Sequence, residues 1–287
     1  MAAFATIVTG RNRRDKSGMK ATGQDHPQDR LRAVLARHDR LVLAVSGGVD
    51  SMTLAHAAHC LPPVGDGVTV CHAVSPAVPA EATARVRDHA RRHGWHLLVL
   101  EAGEFADPDY LRNPVNRCYF CKSNLYDRIA ASVPGTIASG ANLDDLGDYR
   151  PGLQAASERR VCHPFVEAGM TKADIRAMAR QFGLDDIAEL PAQPCLASRI
   201  ETGLTVTPED LGFVEQVERA LTQMAPGKTL RCRVVARGIR LELSEALIAD
   251  AALYQRLATT AQQLCDNAGR SLLSIVPYRR GSAFLHG

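Results

Sequence analysis

Apolar and polar positions between residues 29 and 191 follow two alternating periods, which predict an α/β fold. Four short apolar runs without internal polar alternation are predicted as strands: residues 41–45, 68–74, 95–100 and 136–140. Segments with helical spacing intervene or follow: residues 51–60, 81–93, 122–131 and 171–182, the last ending before Gly183. We therefore expect a Rossmann-like parallel sheet with helices on both faces, whose ligands bind at the carboxyl ends of the strands.

The pattern changes after Arg199, where a small α+β domain is predicted. A helix over residues 208–224 is expected to begin with Thr207 as N-cap and Pro208 at its first position. A hairpin, a long helix and a last strand should follow, at residues 230–243, 245–267 and 272–276. The predicted division is a disordered extension at 1–26, a main domain at 27–199 and a substrate or oligomerisation domain at 200–287. Met19 is an alternative start.

Composition restricts the class of protein without naming its partner. The chain has 287 residues, 46% hydrophobic and 23% charged, and its net charge of +3 is too small to predict nucleic acid. We expect no membrane association, because no apolar run approaches the roughly 20 residues that span a bilayer. The basic residues 11–14 follow the mildly apolar start, which is the wrong order for a secretory signal. Eight cysteines then favour a cytoplasmic protein with free, metal-binding or catalytic thiols. Five of them are predicted to be buried packing residues: Cys60, Cys71, Cys162, Cys232 and Cys265.

The most specific motif is Ser46-Gly47-Gly48-Val49-Asp50-Ser51, which joins the first predicted strand to a helix. Two glycines allow a tight turn close to phosphate oxygens, and the N–H groups of a helix start bind anions. The serines add hydroxyl donors, and Asp50 can hold Mg²⁺. The motif lacks the spacing and lysine of a Walker A loop. It resembles the PP-loop ATP pyrophosphatases, which implies cleavage of ATP between the α and β phosphates with AMP left on an acceptor oxygen.

A second segment follows the fourth predicted strand and should reach the same sheet edge. Its Gly140 permits close approach to the nucleotide, and Asp144 and Asp145 can serve a ribose or a metal ion. The same residues are also ordinary loop and cap chemistry.

Three further cysteines are predicted to carry chemistry. Cys118 and Cys121 have Cys-x-x-Cys spacing, and we expect the adjacent Arg117 and Lys122 to favour their thiolates. Cys195 is followed by Ser198-Arg199, a pair suited to a phosphate or adenylate. Three cysteines with an open fourth position can hold a 4Fe–4S cluster. Zinc, or no metal with Cys195 acting alone, are the alternatives.

Taken together, these motifs resemble the LarE-type ATP-dependent sulfur transferases. The resemblance covers residues 46–51, 113–122, 148–152, 194–200 and 278–282. It implies an adenine nucleotide alpha hydrolase-like fold and adenylation of pyridinium-3,5-biscarboxylic acid mononucleotide, whose carboxylate becomes a thiocarboxylate during nickel-pincer cofactor biosynthesis. In one branch a single cysteine gives up its own sulfur. In the other, three cysteines hold a 4Fe–4S cluster that delivers sulfide, and Cys118, Cys121 and Cys195 match that branch.

The resemblance also implies substrate-binding roles and a homo-oligomer. Arg231 and Arg233, on one side of a strand, would hold the substrate phosphate, and Arg150 would face phosphate or AMP. Three acidic residues are candidate partners, although solvated positions are the preferred interpretation for them: Glu218, Glu242 and Asp250. A PP-loop tRNA thiolase and a non-catalytic nucleotide or iron–sulfur binding module are the competing functions.

Overall fold

The computed structural model describes residues 26–61, 67–147 and 150–279, and its first unit is a four-stranded parallel sheet. The strands are β1 (Leu41–Ala44), β2 (Val68–Val74), β3 (Leu97–Glu101) and β4 (Thr136–Ser139), in the order β3-β2-β1-β4. All neighbouring pairs are parallel. The four predicted strands are therefore confirmed.

Helices cover both faces of this sheet. They are α1 (Pro27–Leu35), α2 (Val49–Cys60), α3 (Ala80–His93), α5 (Arg117–Ser132), α6 (Pro151–Glu158), α7 (Pro164–Glu167), α8 (Lys172–Gln181) and α9 (Asp185–Ala188). The short helix α4 (Pro108–Leu111) instead contributes Tyr110 to the core of the C-terminal unit. Along β1, Leu41 and Leu43 belong to one core, whereas Val42 belongs to a second core with Tyr126 and Ile129 of α5. Burial on both faces explains why the strands show no polar alternation.

The second unit is a three-stranded sheet with helices packed on it. Strands β5 (Leu230–Val235) and β6 (Gly238–Leu243) are antiparallel, and β7 (Leu272–Pro277) is parallel to β6. The helices are α10 (Pro208–Met224), α11 (Glu245–Ala249) and α12 (Ala251–Asn267). Thr207 caps α10 as predicted, since its hydroxyl accepts from Asp210 N at 3.1 Å. The Rossmann-like class with a small C-terminal α+β unit is thus confirmed.

Two helix boundaries differ from prediction. The helix predicted over 245–267 is interrupted at Asp250, whose backbone is extended and whose carboxylate accepts from Leu253 N at 3.0 Å. A side chain that caps a new helix competes with continuation of the preceding one. The helix predicted over 122–131 begins earlier, at Arg117, so Cys118 and Cys121 lie one turn apart on its first turns.

The core of the second sheet also includes residues from earlier in the chain: Ala77, Tyr110, Leu196 and Ala197. The boundary at 199/200 stays a prediction, and nearly all of the predicted N-terminal extension lies outside the described residues. Within the described ranges, no helix combines the length and apolar character needed to cross a membrane.

Candidate active site

The glycine loop (residues 46–51) lies at the carboxyl end of β1, where the strand order of the parallel sheet reverses. Gly47 has φ +85°, and a Cβ there would lie 2.9 Å from Ala82 O. Ser46 N donates to Ser51 Oγ at 3.1 Å, and Arg85 Nη1 donates to Gly47 O at 2.7 Å. No side-chain hydrogen bond caps the start of α2 at Gly48. The loop is therefore held in shape while the first N–H groups of α2 stay available to an anion.

Asp50 joins this loop to α8. One of its carboxylate oxygens is ion-paired with the Lys172 ammonium. Its Oδ1 is buried and has no hydrogen-bond partner within the described residues. Burial raises the pKa of Asp50, and Lys172 opposes that shift. A buried carboxylate oxygen without a partner fits a hard cation, so this residue suits the Mg²⁺ that the sequence predicts.

The loop after β4 packs directly on the glycine loop. A Cβ on Gly140 would lie 2.7 Å from Ser51 N and 2.9 Å from Asp50 C, so backbone packing alone requires glycine here. The neighbouring acidic residues have structural partners: Asp144 Oδ2 accepts from Lys172 N at 2.8 Å, and Asp145 pairs with Arg150 at 2.8 Å. Residues 148 and 149, like most of 278–282, lie outside the described part of the chain.

The three cysteines of interest come from α5 and from the Cys195 loop (residues 194–201). Cys121 and Cys195 pack against the same core, and Cys118 lines a cleft with Ser198 of the Cys195 loop, so the three thiols share one neighbourhood. Burial is the largest effect on the thiols of Cys118 and Cys121: it raises the pKa of Cys118. It raises the pKa of Cys121 to about 12. The prediction that adjacent cationic side chains favour thiolates is therefore wrong for this arrangement, because desolvation outweighs them.

The cysteines do not form a preformed metal site. Across the described ranges, no group of three or more His, Cys, Asp or Glu side chains is arranged to hold a metal ion, and all eight cysteines are free. The 4Fe–4S cluster consequently stays a prediction, and it would require the thiols to reorient. Of the five predicted packing cysteines, Cys71, Cys232 and Cys265 are buried and Cys162 is half-buried, but Cys60 is exposed because it ends α2.

Arginines and buried carboxylates form a second constellation beside the Cys195 loop. Arg199 is 5% exposed and makes a two-point ion pair with Glu218, at 3.0 and 2.9 Å. Arg233 pairs with buried Glu242 at 2.7 Å and donates to Ser198 O at 2.9 Å. The prediction that Glu218 and Glu242 occupy solvated positions is therefore wrong, because both side chains are largely buried and each forms an ion pair with an arginine.

Arg231 differs from these two arginines. It donates to Leu230 O at 2.7 Å and lies 5.8 Å from the centre of the Tyr278 ring. Within the described residues no carboxylate pairs with it, and burial together with neighbouring Arg199 lowers its pKa. A partly buried guanidinium in this state suits an anionic ligand. Asp250, by contrast, is a helix cap.

A small, open cleft is lined by residues of both cysteine segments, among them Arg117, Cys118 and Ser198. Two side chains that shape the glycine loop, Lys172 and Arg85, belong to no motif in the sequence, because their partners Asp50 and Gly47 are distant in the chain. Asn113 lies in a segment of the resemblance, but the sequence assigned it no role.

The fold and site define an α/β protein with a glycine loop at a sheet switch point and a separate cleft lined by Cys118 and Arg117. No protein-family model matches the chain. It is 36% identical to an uncharacterised protein of Synechocystis sp. over 219 residues, 75% of this chain and 80% of that one. An uncharacterised Methanocaldococcus jannaschii protein is 25% identical over 67% of this chain and 73% of its own length.

The third relative has a named activity. Pyridinium-3,5-bisthiocarboxylic acid mononucleotide synthase of Lactiplantibacillus plantarum is 30% identical over 225 residues, 77% of this chain and 80% of that one. The chain belongs to the family of that synthase, the LarE-type family that the motifs resemble.

Proposed function

We propose that this protein is an ATP-dependent sulfur transferase that converts a carboxylate of a pyridinium mononucleotide into a thiocarboxylate for nickel-pincer cofactor biosynthesis. The observation that carries the proposal is the packing of α5, which bears Cys118 and Cys121, against the Cys195 loop and its arginines, in a relative of the synthase. The glycine loop supplies the place for activation of the carboxylate.

Activation uses the glycine loop and its neighbours. The uncapped N–H groups of α2 bind phosphate oxygens of ATP, and Lys172 is within reach because it already contacts Asp50. Asp50, whose Oδ1 has no partner within the described residues, would hold a Mg²⁺ ion, which would neutralise phosphate charge. The substrate carboxylate oxygen attacks the α phosphorus, the bond to the bridging oxygen breaks, and pyrophosphate leaves. The carboxylate becomes an acyl adenylate, whose AMP is a good leaving group.

Substrate binding falls to the arginine constellation. Arg199 and Arg233 each form an ion pair with a glutamate, Glu218 and Glu242 respectively. Their charges are therefore neutralised, and their role is to hold the Cys195 loop in place. Arg231 has no such partner in the described chain and binds the substrate phosphate. We therefore assign binding of the substrate phosphate to Arg231 alone, whereas the sequence suggested a phosphate-binding role for all three arginines.

Sulfur transfer follows at the cysteines. A hydrosulfide delivered there attacks the acyl carbon, the carbon–sulfur bond forms, AMP leaves with its electron pair, and the hydrosulfide proton is released to solvent. Alternatively the Cys195 thiolate attacks the acyl carbon, AMP leaves with its electron pair, and a thioester forms. Cleavage of its Cβ–S bond by elimination of the α proton then leaves dehydroalanine and the thiocarboxylate. The 4Fe–4S cluster is a hypothesis about the first route, and no step here depends on it.

The test supplies ATP, Mg²⁺, sulfide and the pyridinium mononucleotide, and measures pyrophosphate release. We expect release that depends on the mononucleotide and that falls at least about tenfold in Arg231→Gln, as loss of a charged hydrogen bond predicts. The matched control is Arg240→Gln, an exposed arginine on the adjacent strand β6. Stimulation by tRNA instead would identify a tRNA thiolase, and absence of release with any acceptor would indicate a binding module.

A further inference from the structure

Asn113 connects the segment before α5 to the Cys195 loop through hydrogen bonds. It is 1% exposed and adopts φ +52°, a left-handed conformation that asparagine tolerates better than most residues. Its amide Nδ2 donates to Glu201 O at 2.8 Å. Gly203 N donates to Asn113 O at 2.9 Å. The side chain and the backbone of Asn113 therefore both bind the chain just after Ile200.

Arg117 makes the second link. Its side chain is buried, 7% exposed, at the first residue of α5. The guanidinium donates to Asn113 Oδ1 and, at 2.8 Å, to Ala197 O. Arg117 and Cys118 also line the same cleft as Ser198. One side chain therefore joins the start of α5, which carries Cys118, to the loop that carries Cys195, two residues before Ala197.

The electrostatics of Arg117 are unusual for a structural arginine. Within the described residues its hydrogen-bond partners are neutral, and no carboxylate forms an ion pair with it. Burying a guanidinium in this way is costly unless carbonyl groups replace water closely. The position of Arg117 among the described residues is therefore fixed by these hydrogen bonds and not by an ion pair.

The opposite side of the Cys195 loop is held independently of this link. Glu201 N donates to Val234 O at 2.9 Å, and Arg233 Nη1 donates to Ser198 O at 2.9 Å. Arg199 is anchored by Glu218. The Cys195 end is held as well, since Leu196 N donates to Ala77 O at 2.9 Å and Arg199 Nη1 donates to Pro194 O at 2.8 Å. Loss of the Asn113–Arg117 link should therefore shift Cys118 and the start of α5 relative to a Cys195 loop that stays in place.

We propose that Asn113 and Arg117 are positioning residues that set the approach of Cys195 to Cys118, and so govern sulfur transfer without governing adenylation. The inference rests on the proposed function. The glycine loop makes its own contacts to Ala82, Arg85 and Gly140, which do not pass through this link.

The test separates the two half-reactions in Asn113→Gly and Arg117→Lys. Asn113→Gly removes the amide but keeps a residue that accepts positive φ. Mononucleotide-dependent ATP–pyrophosphate exchange should stay within about threefold of the parent, whereas thiocarboxylate formation should fall about 100-fold, as a misplacement of roughly 1 Å predicts. The matched control is Arg112→Lys, an exposed arginine on the same segment that should change neither half-reaction.

A second readout measures position directly. In a Cys121→Ser background, cross-linking of Cys118 to Cys195 by dibromobimane should be efficient and should fall several-fold in each variant, as mapped by peptide mass. Absence of exchange in the parent would refute the proposed function but leave this readout valid. Equal losses in both half-reactions, or an unchanged cross-link yield in folded variants, would overturn the inference. If Arg117→Lys fails to fold, Asn113→Gly provides the same test.

Discussion

Replacing Gly140 by alanine isolates the packing of the β4 loop on the glycine loop. The added Cβ would lie 2.7 Å from Ser51 N and 2.9 Å from both Asp50 C and Ser51 Cα. All three are backbone atoms, so no side chain can rotate away. Gly140 does not have positive φ, and the expected effect is therefore steric rather than conformational.

The size of the effect follows from the distance. Ordinary contact begins at 3.4 Å, so relief from 2.7 Å needs a separation of about 0.7 Å between the two loops. That movement shifts the phosphate-binding N–H groups of α2, and displacements near 1 Å at a positioned group cost roughly 100-fold in rate. We expect ATP–pyrophosphate exchange to fall about 10- to 100-fold and stability to fall by about 1–3 kcal/mol, the usual cost of overpacking.

The assays are exchange at varied ATP concentration and urea unfolding. The matched control is Gly212→Ala within α10, where a Cβ meets no atom within 4 Å. It should raise stability by about 0.5–1 kcal/mol and leave exchange unchanged. If Gly140→Ala kept the parent KM for ATP and the parent rate, the assignment of the nucleotide to this sheet edge would be refuted.

Three further predictions concern charged groups. Lys172→Met should cost about 1–2 kcal/mol in urea unfolding by leaving a partly buried carboxylate unpaired, and adding Asp50→Asn should recover most of it. Glu218→Gln should cost about 2–4 kcal/mol because a buried ion pair loses one partner, whereas exposed Glu209→Gln should cost less than about 1 kcal/mol. Burial lowers the pKa of His56 from 6.5 to about 4, so the unfolded chain binds more protons and stability falls as pH drops through that window. His56→Gln should reduce this loss by up to about 3 kcal/mol, and an unchanged pH profile of unfolding would contradict the assignment.

The sheet and most helices could be predicted because their signals are local. Strand β1 and the glycine loop are adjacent in sequence, and the apolar runs show buried strands without knowledge of their neighbours. The break at Asp250 was missed because capping by its own side chain competes with an otherwise continuous helical pattern. The early start of α5 was missed because no side chain caps it.

The site could be predicted only in part, since its ion pairs and hydrogen bonds join distant segments. Asp50 and Lys172 are 122 positions apart, and Asn113 and Glu201 are 88 apart. Such contacts depend on how elements pack, which periodicity does not encode. The thiolate prediction for Cys121 was wrong for a related reason: the adjacent lysine was visible in the sequence, but the burial that outweighs it was not.

The most direct test of the central claim is the mass of the mononucleotide after incubation with the protein, ATP, Mg²⁺ and sulfide under anaerobic conditions. The account predicts a product in which sulfur replaces one carboxylate oxygen, with one AMP and one pyrophosphate formed for each product. Intact mass of the protein in the same sample identifies the donor, because loss of the elements of H₂S would assign the sulfur to Cys195. An unchanged mononucleotide mass in the presence of a folded, ATP-binding protein would contradict the account.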